Sequence, residues 1–334
     1  MTTITFTPAV SEIPRDRYGR PMVTLPGETK QTAYRRCTTF IDVVEDKYNL
    51  QLWMQRMVAT GLAIRPDLAL AASTYATDPD ANKRELNKLC EDAREAAAAS
   101  AKATVGTALH ALTERLDRGL DVGVIPDQYK KHLASYETAT AGLTCLHIEQ
   151  LMVHDELKVA GTPDRIVTVD GMDGCFIADT KTGPSTLKYG LGKVAMQMAM
   201  YSRSVLFNHE TNTRMSVPGL SQTAGIVIAL NAETGDCDLH WIDLTAGWRG
   251  VEVARQVWEY RGLKGLSKPM TPPVDDRAEP ALDAAITTAG TVEDLNRLWA
   301  AAGPAWTERH TAMAQTRKTE LAKTPPADVA AGNN

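Results

Sequence analysis

The chain is poor in cysteine: the five it has, Cys37, Cys90, Cys145, Cys175 and Cys237, are never closer than thirty residues in its 334. With no C-x-x-C pair and no short Cys/His cluster, zinc sites and a disulfide framework are not expected. Long apolar runs are also missing, so no membrane span is expected. The N-terminal MTTITFTPAVSEIPRDRYG lacks a basic-then-apolar leader, and a cytoplasmic protein of a bacterial or phage-infected cell is expected. Positive charge is not in excess, with 36 Lys and Arg against 41 Asp and Glu and a net charge of −5. A nucleic-acid partner would therefore have to be met by a local groove rather than by an overall basic field. Gly190-Leu191-Gly192-Lys193-Val194 is not a phosphate loop, because Leu187 stands where that motif needs glycine and Val194 where it needs Ser or Thr. No ATP-driven motor is encoded, and no ATP is expected as a cofactor. What is present, 43% hydrophobic and 23% charged residues, suits a globular chain with one large domain plus extensions, or two domains.

Residues 1–30 hold turn formers and scattered charges and read as an extended arm. From Thr38 to Ala72, Ile41, Val44, Tyr48, Leu52 and Met57 recur at helical spacing, interrupted at Arg65-Pro66. Arm and helical lead-in together make a first segment, 1–99. A second helical region opens at Asp78-Pro79-Asp80 and runs to about Leu116. Gly106 inside it costs about 1 kcal/mol relative to Ala, which implies either a close backbone approach or a break before His110. Further helices are expected at Tyr129–Ala141, Tyr189–Phe207 and Ala246–Leu263, and strands at Cys145–Val153, Val159–Val169, Cys175–Lys181, Gly225–Leu230 and Cys237–Leu244. The order predicts an α/β core at 100–266 with a mixed central sheet flanked by helices. Residues 267–280 read as a Pro-rich linker. Residues 281–323 read as a small helical appendage opened by a capping box at Thr291–Asp294, serving a partner, DNA or as a brace, and 324–334 as a disordered tail.

The stretch Leu157–Tyr201 carries the chemistry. Pro163-Asp164 is followed, after fourteen residues, by Asp179-Thr180-Lys181, and the turn residues Asp170–Gly174 between them predict a β-hairpin. Alternation puts Cys175, Ile177, Asp179 and Lys181 on one side of the second strand, with Phe176, Ala178 and Thr180 on the other. Two carboxylates about 4 Å apart repel by roughly 4 kcal/mol at an effective dielectric of 20, unless a cation or proton lies between them. Oxygen ligands suit Mg²⁺ or Mn²⁺, and a cation beside a lysine supplies the parts needed to hydrolyse a phosphodiester. A surface Asp–Lys ion pair on an edge strand is the alternative.

Upstream stands Gly106-Thr107-Ala108-Leu109-His110 in a helical pattern, and downstream Gln197-Met198-Ala199-Met200-Tyr201, with Gln197 and Tyr201 one turn apart. The order GTALH, VAGTPDRI, IADTKTG, QMAMY resembles the RecB-like branch of the PD-(D/E)XK nucleases, including stand-alone phage exonucleases, over residues 100–205. The resemblance implies a restriction-endonuclease-like core and roles for individual residues. His110, Asp164 and Asp179 would be metal ligands together with the Thr180 backbone carbonyl, and Lys181 would be the catalytic lysine beside Asp164 and Asp179. Gln197 and Tyr201 would hold DNA or the lysine, and Glu149 matches an acidic position before the hairpin. Glu114, one turn after His110, is placed to orient the imidazole. Lys188, Lys193 and Arg203 are near enough in sequence to meet phosphates. The implied activity is a Mg²⁺- or Mn²⁺-dependent exonuclease of phage recombination or replication, acting on DNA, with a single-strand annealing protein as the partner suggested by family analogy. An endonuclease of restriction or defence, and an inactive DNA-binding or assembly scaffold, share the same motifs. Some relatives hold an iron–sulfur cluster on four cysteines, three of them after the Gln/Tyr helix. Here only Cys237 follows it, so no cluster is expected.

Overall fold

The computed structural model describes residues 7–9, 11–97, 101–183, 186–270 and 278–323. The tail expected at 324–334 lies outside them, as do 271–277 of the expected linker. The chain divides after Leu263 into two units.

In the first unit, β1 (Met22–Thr24) and β2 (Gln31–Ala33) form a hairpin, followed by β3 (Arg35–Arg36) and α1 (Cys37–Ile41). Three helices come next: α2 (Tyr48–Ile64), α3 (Pro66–Tyr75) and α4 (Lys83–Ala96). The break read at Arg65-Pro66 is real: α2 stops at Ile64 and α3 restarts with Pro66 in its first turn, where the missing N–H has no partner to lose. Then come α5 (Ala101–Asp117), α6 (Asp127–Thr140), β4 (Leu143–Ile148), β5 (Met152–His154), β6 (Val159–Gly161), β7 (Arg165–Val169) and β8 (Phe176–Lys181). After a π-turn at Thr186–Gly190 follow α7 (Leu191–Ser202), β9 (Val205–Asn208), β10 (Thr213–Met215), β11 (Ala224–Leu230), β12 (Cys237–Asp243) and α8 (Leu244–Arg261).

The strands make two five-stranded sheets rather than one central sheet, in the orders β12-β11-β8-β7-β4 and β10-β9-β5-β6-β3. The first is mixed: β11 and β8 run parallel, the other pairs antiparallel. One of its faces buries Ile166, Cys175, Ile177 and Val227 against α1, α7 and α8, and the other buries Val167, Phe176, Ala178 and Ile228 against Leu109 of α5 and Tyr136 of α6. The alternation expected along Cys175–Thr180 is therefore borne out by which core each residue enters. The second sheet adds Met152, Val159 and Leu206 to the α7 side, and its far face is closed by Val23 and Tyr34.

Three expectations are corrected. The arm at 1–30 contains β1, whose Val23 is fully buried, so this stretch is anchored by its apolar residues. The helix expected to reach Phe207 ends at Ser202, because Val205–Asn208 pairs with β5 and β10 as a buried strand. Gly106 does not break α5; a Cβ there would lie 2.6 Å from Thr182 Oγ1, which identifies it as the close approach. Among the described residues no helix is long and apolar enough to cross a membrane.

The second unit contains α9 (Ala278–Thr288), α10 (Val292–Ala302) and α11 (Glu308–Lys323) around Ile286, Ala289 and Leu295. Its first helix starts inside the expected linker. The capping box is present: Thr291 accepts from the Asp294 N–H, and the Asp294 carboxylate accepts from the Thr291 N–H.

Candidate metal centre

Two segments read as single strands, Cys145–Val153 and Val159–Val169, each cross from one sheet to the other, and the crossings are neighbours. Between β4 and β5 the chain turns at Glu149, whose φ of 50° is left-handed, an uncommon and strained backbone for a residue with a Cβ. Between β6 and β7 it turns at Thr162-Pro163-Asp164, and the Glu149 N–H donates to the Asp164 carbonyl at 3.0 Å, tying corner to corner. A bulge between Cys145 and His147 shifts the register within β4, so simple alternation does not carry through from Cys145 to Glu149. The hairpin register pairs Arg165 with Ala178 and Ile166 with Ile177, so one step further Asp164 stands across from Asp179.

His110 projects from α5 onto this corner, its Nε2 2.7 Å from Asp164 Oδ2. The same oxygen accepts the Thr180 N–H at 2.7 Å. Ligand atoms of His110, Glu149 and Asp164 all lie within 4.8 Å of one another. Donors around one divalent cation, at about 2.1–2.4 Å each, are at most about 4.8 Å apart, so these three can share an ion. This is not the trio expected. Asp179 stands beside it, 2% exposed, with its Oδ2 2.5 Å from the Lys181 ammonium. Apart from that ammonium, Oδ2 is buried with no hydrogen-bond partner. Three carboxylates, Glu149, Asp164 and Asp179, gather here against one ammonium and one imidazole, and buried carboxylates are costly without full compensation, so the set of side chains fits a further positively charged guest.

The electrostatics agree. Burial, and then the Asp164 charge, push Glu149 up to about 7 and Asp179 up to about 6. Asp164 is held below its usual range despite its own burial, by the His110 hydrogen bond and charge and by the Thr180 N–H, and the Asp164 hydrogen bond holds His110 up. A raised carboxylate, like a raised histidine, contributes stability that is full below its unfolded pKa and is lost as pH rises through its folded pKa. Glu149, Asp179 and His110 therefore all make the metal-free protein less stable as pH rises from about 5 to about 8. His147 and His154, held low by burial, act in the opposite direction up to about pH 6.5, so the net fall should be clearest above that value. Discounted for the partial exposure of Glu149 and His110, the loss is roughly 1–2 kcal/mol. Melting of the metal-free protein across this range should show it, and Mn²⁺ should reverse it; a melting point that climbs with pH without metal would contradict the arrangement.

The other expected residues are placed as follows. Thr180 contributes its amide, to Asp164, and its hydroxyl accepts from Arg165 Nη1 at 2.9 Å on the opposite face of the sheet. Gln197 and Tyr201 lie on α7, and Tyr201 is buried, its hydroxyl held high by burial and by Cys37 while it bonds Gln197 and feels the Asp179 charge. Lys193 is bound to Asp42 at 2.6 Å and braces α7 rather than facing a groove. Lys188 is exposed in the π-turn, its ammonium 5.1 Å from the centre of the Tyr189 ring. Arg203 stacks on Trp248 with 4.6 Å to the ring centre. Glu114 pairs with Arg118 at 2.9 Å instead of orienting His110. Arg165 was not anticipated, although the alternation that buries Val167 also buries Arg165; a charge on an apolar strand face is a signal that partners await it.

A mixed α/β fold with a half-buried imidazole–carboxylate corner thus defines a candidate divalent-cation centre. No protein-family model matches the chain, and no curated protein matches it.

Proposed function

We propose that this chain is a Mg²⁺- or Mn²⁺-dependent deoxyribonuclease with a PD-(D/E)XK core of the RecB-like kind, acting as an exonuclease on DNA. The observation that carries the reading is the convergence of His110, Glu149 and Asp164 beside Asp179 and its ion-pair partner Lys181. These residues come from four places in the chain, and the motif order seen in the sequence anticipates four of the five.

His110, Glu149 and Asp164 would hold the cation, with Asp179 adjoining. The imidazole among the ligands suits Mn²⁺ at least as well as Mg²⁺. Bound there, the cation supplies positive charge against the charge that develops on the phosphoryl oxygens and makes water a better nucleophile. Lys181, paired with Asp179, offers N–H donors to the same oxygens at the rim of the site. The Thr180 amide and His110 fix the orientation of Asp164, and the corner at Glu149 keeps its carboxylate turned inward. Residues Gln197 and Tyr201 carry the site's boundary on α7. Phage recombination or replication, with a single-strand annealing protein as partner, is the setting that the sequence resemblance suggests.

Closed circular DNA and linear duplex and single strands labelled at the 5′ or 3′ end, each incubated with Mg²⁺, with Mn²⁺ and with chelator, test this. Metal-dependent loss of linear DNA from an end, with circles spared, is expected. Cutting of circles would instead assign an endonuclease, and binding without hydrolysis an inactive scaffold.

A further inference from the structure

Directly after Asp164 the chain buries an arginine. Arg165 is 1% exposed, on the face of the sheet opposite Asp179, and its fork bonds two other elements, α5 and β8. Its Nε pairs with Asp117 at the end of α5, Nη1 donates to Thr180 Oγ1 on β8 at 2.9 Å, and Nη2 donates to Thr113 Oγ1 on α5 at 3.0 Å. Its guanidinium stands 5.6 Å from the centre of the Tyr136 ring, and the Tyr136 hydroxyl donates to Asp117 at 2.7 Å. Thr113 in turn donates to the His110 carbonyl at 2.9 Å. Two of these bonds end one residue or one helical turn from a side chain of the metal centre: Thr180 sits between Asp179 and Lys181, and Thr113 lies one turn after His110, while Arg165 itself follows Asp164.

Packing alone does not call for this arrangement. A buried ion pair is costly to desolvate, and an apolar residue of similar volume would hold the layer together at least as well. What a planar, fully bonded fork adds is fixed geometry among the three pieces of backbone it touches. Among the described residues of α5, Leu109 and Thr113 are buried and Val105 and Leu116 are half-buried against the same core, so few apolar contacts fix its rotation and slide near His110.

We propose that Arg165 is a positioning residue: it clamps α5 to β7 and β8 from beneath, and thereby sets the spacing of His110, Asp164 and the Thr180 amide on which cation binding depends. The inference rests on the metal-centre reading above, and its test separates the two. Wild type, R165K, T180V and Y136F are compared by calorimetric titration with Mn²⁺ and, without metal, by hydrogen exchange of the residue-180 amide that donates to Asp164. R165K keeps the charge but loses the fork, and T180V removes one acceptor at nearly constant volume. Y136F perturbs the same buried cluster through Asp117 and leaves the Thr113–Arg165–Thr180 bridge whole. R165K and T180V should each speed the exchange and weaken Mn²⁺ binding by about tenfold, while Y136F changes both by less than about twofold even where it lowers the melting point. Wild-type values in T180V and R165K overturn the clamp, as does Y136F matching them, which would mark a merely structural role. If R165K does not fold, T180V decides alone. Absence of Mn²⁺ binding by the wild type would sink the metal centre, with the metal-free exchange still judging the clamp.

Discussion

Asp179→Asn should reduce DNA hydrolysis by about three orders of magnitude or more, because it removes negative charge that would help hold the cation, and Lys181→Ala by a similar factor, because it removes the ammonium that would face the phosphoryl oxygens. Their effects on the metal-free fold should have opposite signs. Asp179 is a buried carboxylate whose charged form is opposed by burial and by Asp164, so a neutral amide of the same shape relieves it. The metal-free melting point of Asp179→Asn should equal or exceed that of the wild type. Lys181→Ala instead strips Asp179 of its ion-pair partner, 2.5 Å away, and should lower the metal-free melting point, by the equivalent of roughly 1 kcal/mol. Glu149→Gln should weaken Mn²⁺ binding while leaving the Asp164–His110 contact in place. Rates and melting curves on the same preparations distinguish loss of chemistry from loss of fold. Full metal-dependent activity in both the Asp179 and Lys181 variants would remove the assigned roles.

The second large effect is structural and lies where α7 crosses α8. A Cβ at Gly247 would sit 2.2 Å from the Ala195 carbonyl oxygen and 2.5 Å from its carbon. Backbone cannot swing aside as a side chain does, so Gly247→Ala must push the helices apart. Overpacking of this kind costs roughly 3 kcal/mol, against which the better helix propensity of alanine returns about 1 kcal/mol. A net loss of about 2 kcal/mol is expected, seen as a lower urea midpoint with unchanged slope. Gly250→Ala is the comparison. Its Cβ would meet the flexible Met196 side chain, 2.7 Å from Cγ, which can rearrange, and a near-neutral result is expected. Because α7 also carries Gln197 and Tyr201, Gly247→Ala should weaken Mn²⁺-dependent activity beyond what its stability loss explains. Equal midpoints for wild type and Gly247→Ala would show that the crossing has slack.

Some of this was legible in one dimension because local pattern and local structure coincide. The run Cys175–Ala178 alternates in the sequence and alternates between two cores in the fold, and α6, α8, α10 and the end of α5 lie close to where spacing and capping residues put them. Elements failed to show where a few residues are held by distant partners. β9 is four residues that pair with β5 and β10, and β3 is two residues that pair with β6; neither has enough length to display a period. Lys193 resembled a phosphate contact until Asp42, 151 residues away, took its charge.

Sequence by itself determined which chemistry is on offer: two aspartates, a lysine and a histidine at spacings that a hairpin and its flanking helices can gather, in a chain without the cysteines or phosphate loop of other cofactor classes. Only the tertiary structure decided which of these side chains meet. Whether Glu149 or Asp179 adjoins His110 and Asp164 depends on a bulge, a left-handed residue and a proline corner that turn two strands out of one sheet and into another. Period-two alternation carries no trace of a strand's change of sheet, since that change is made by non-local pairing and by packing against chain far away.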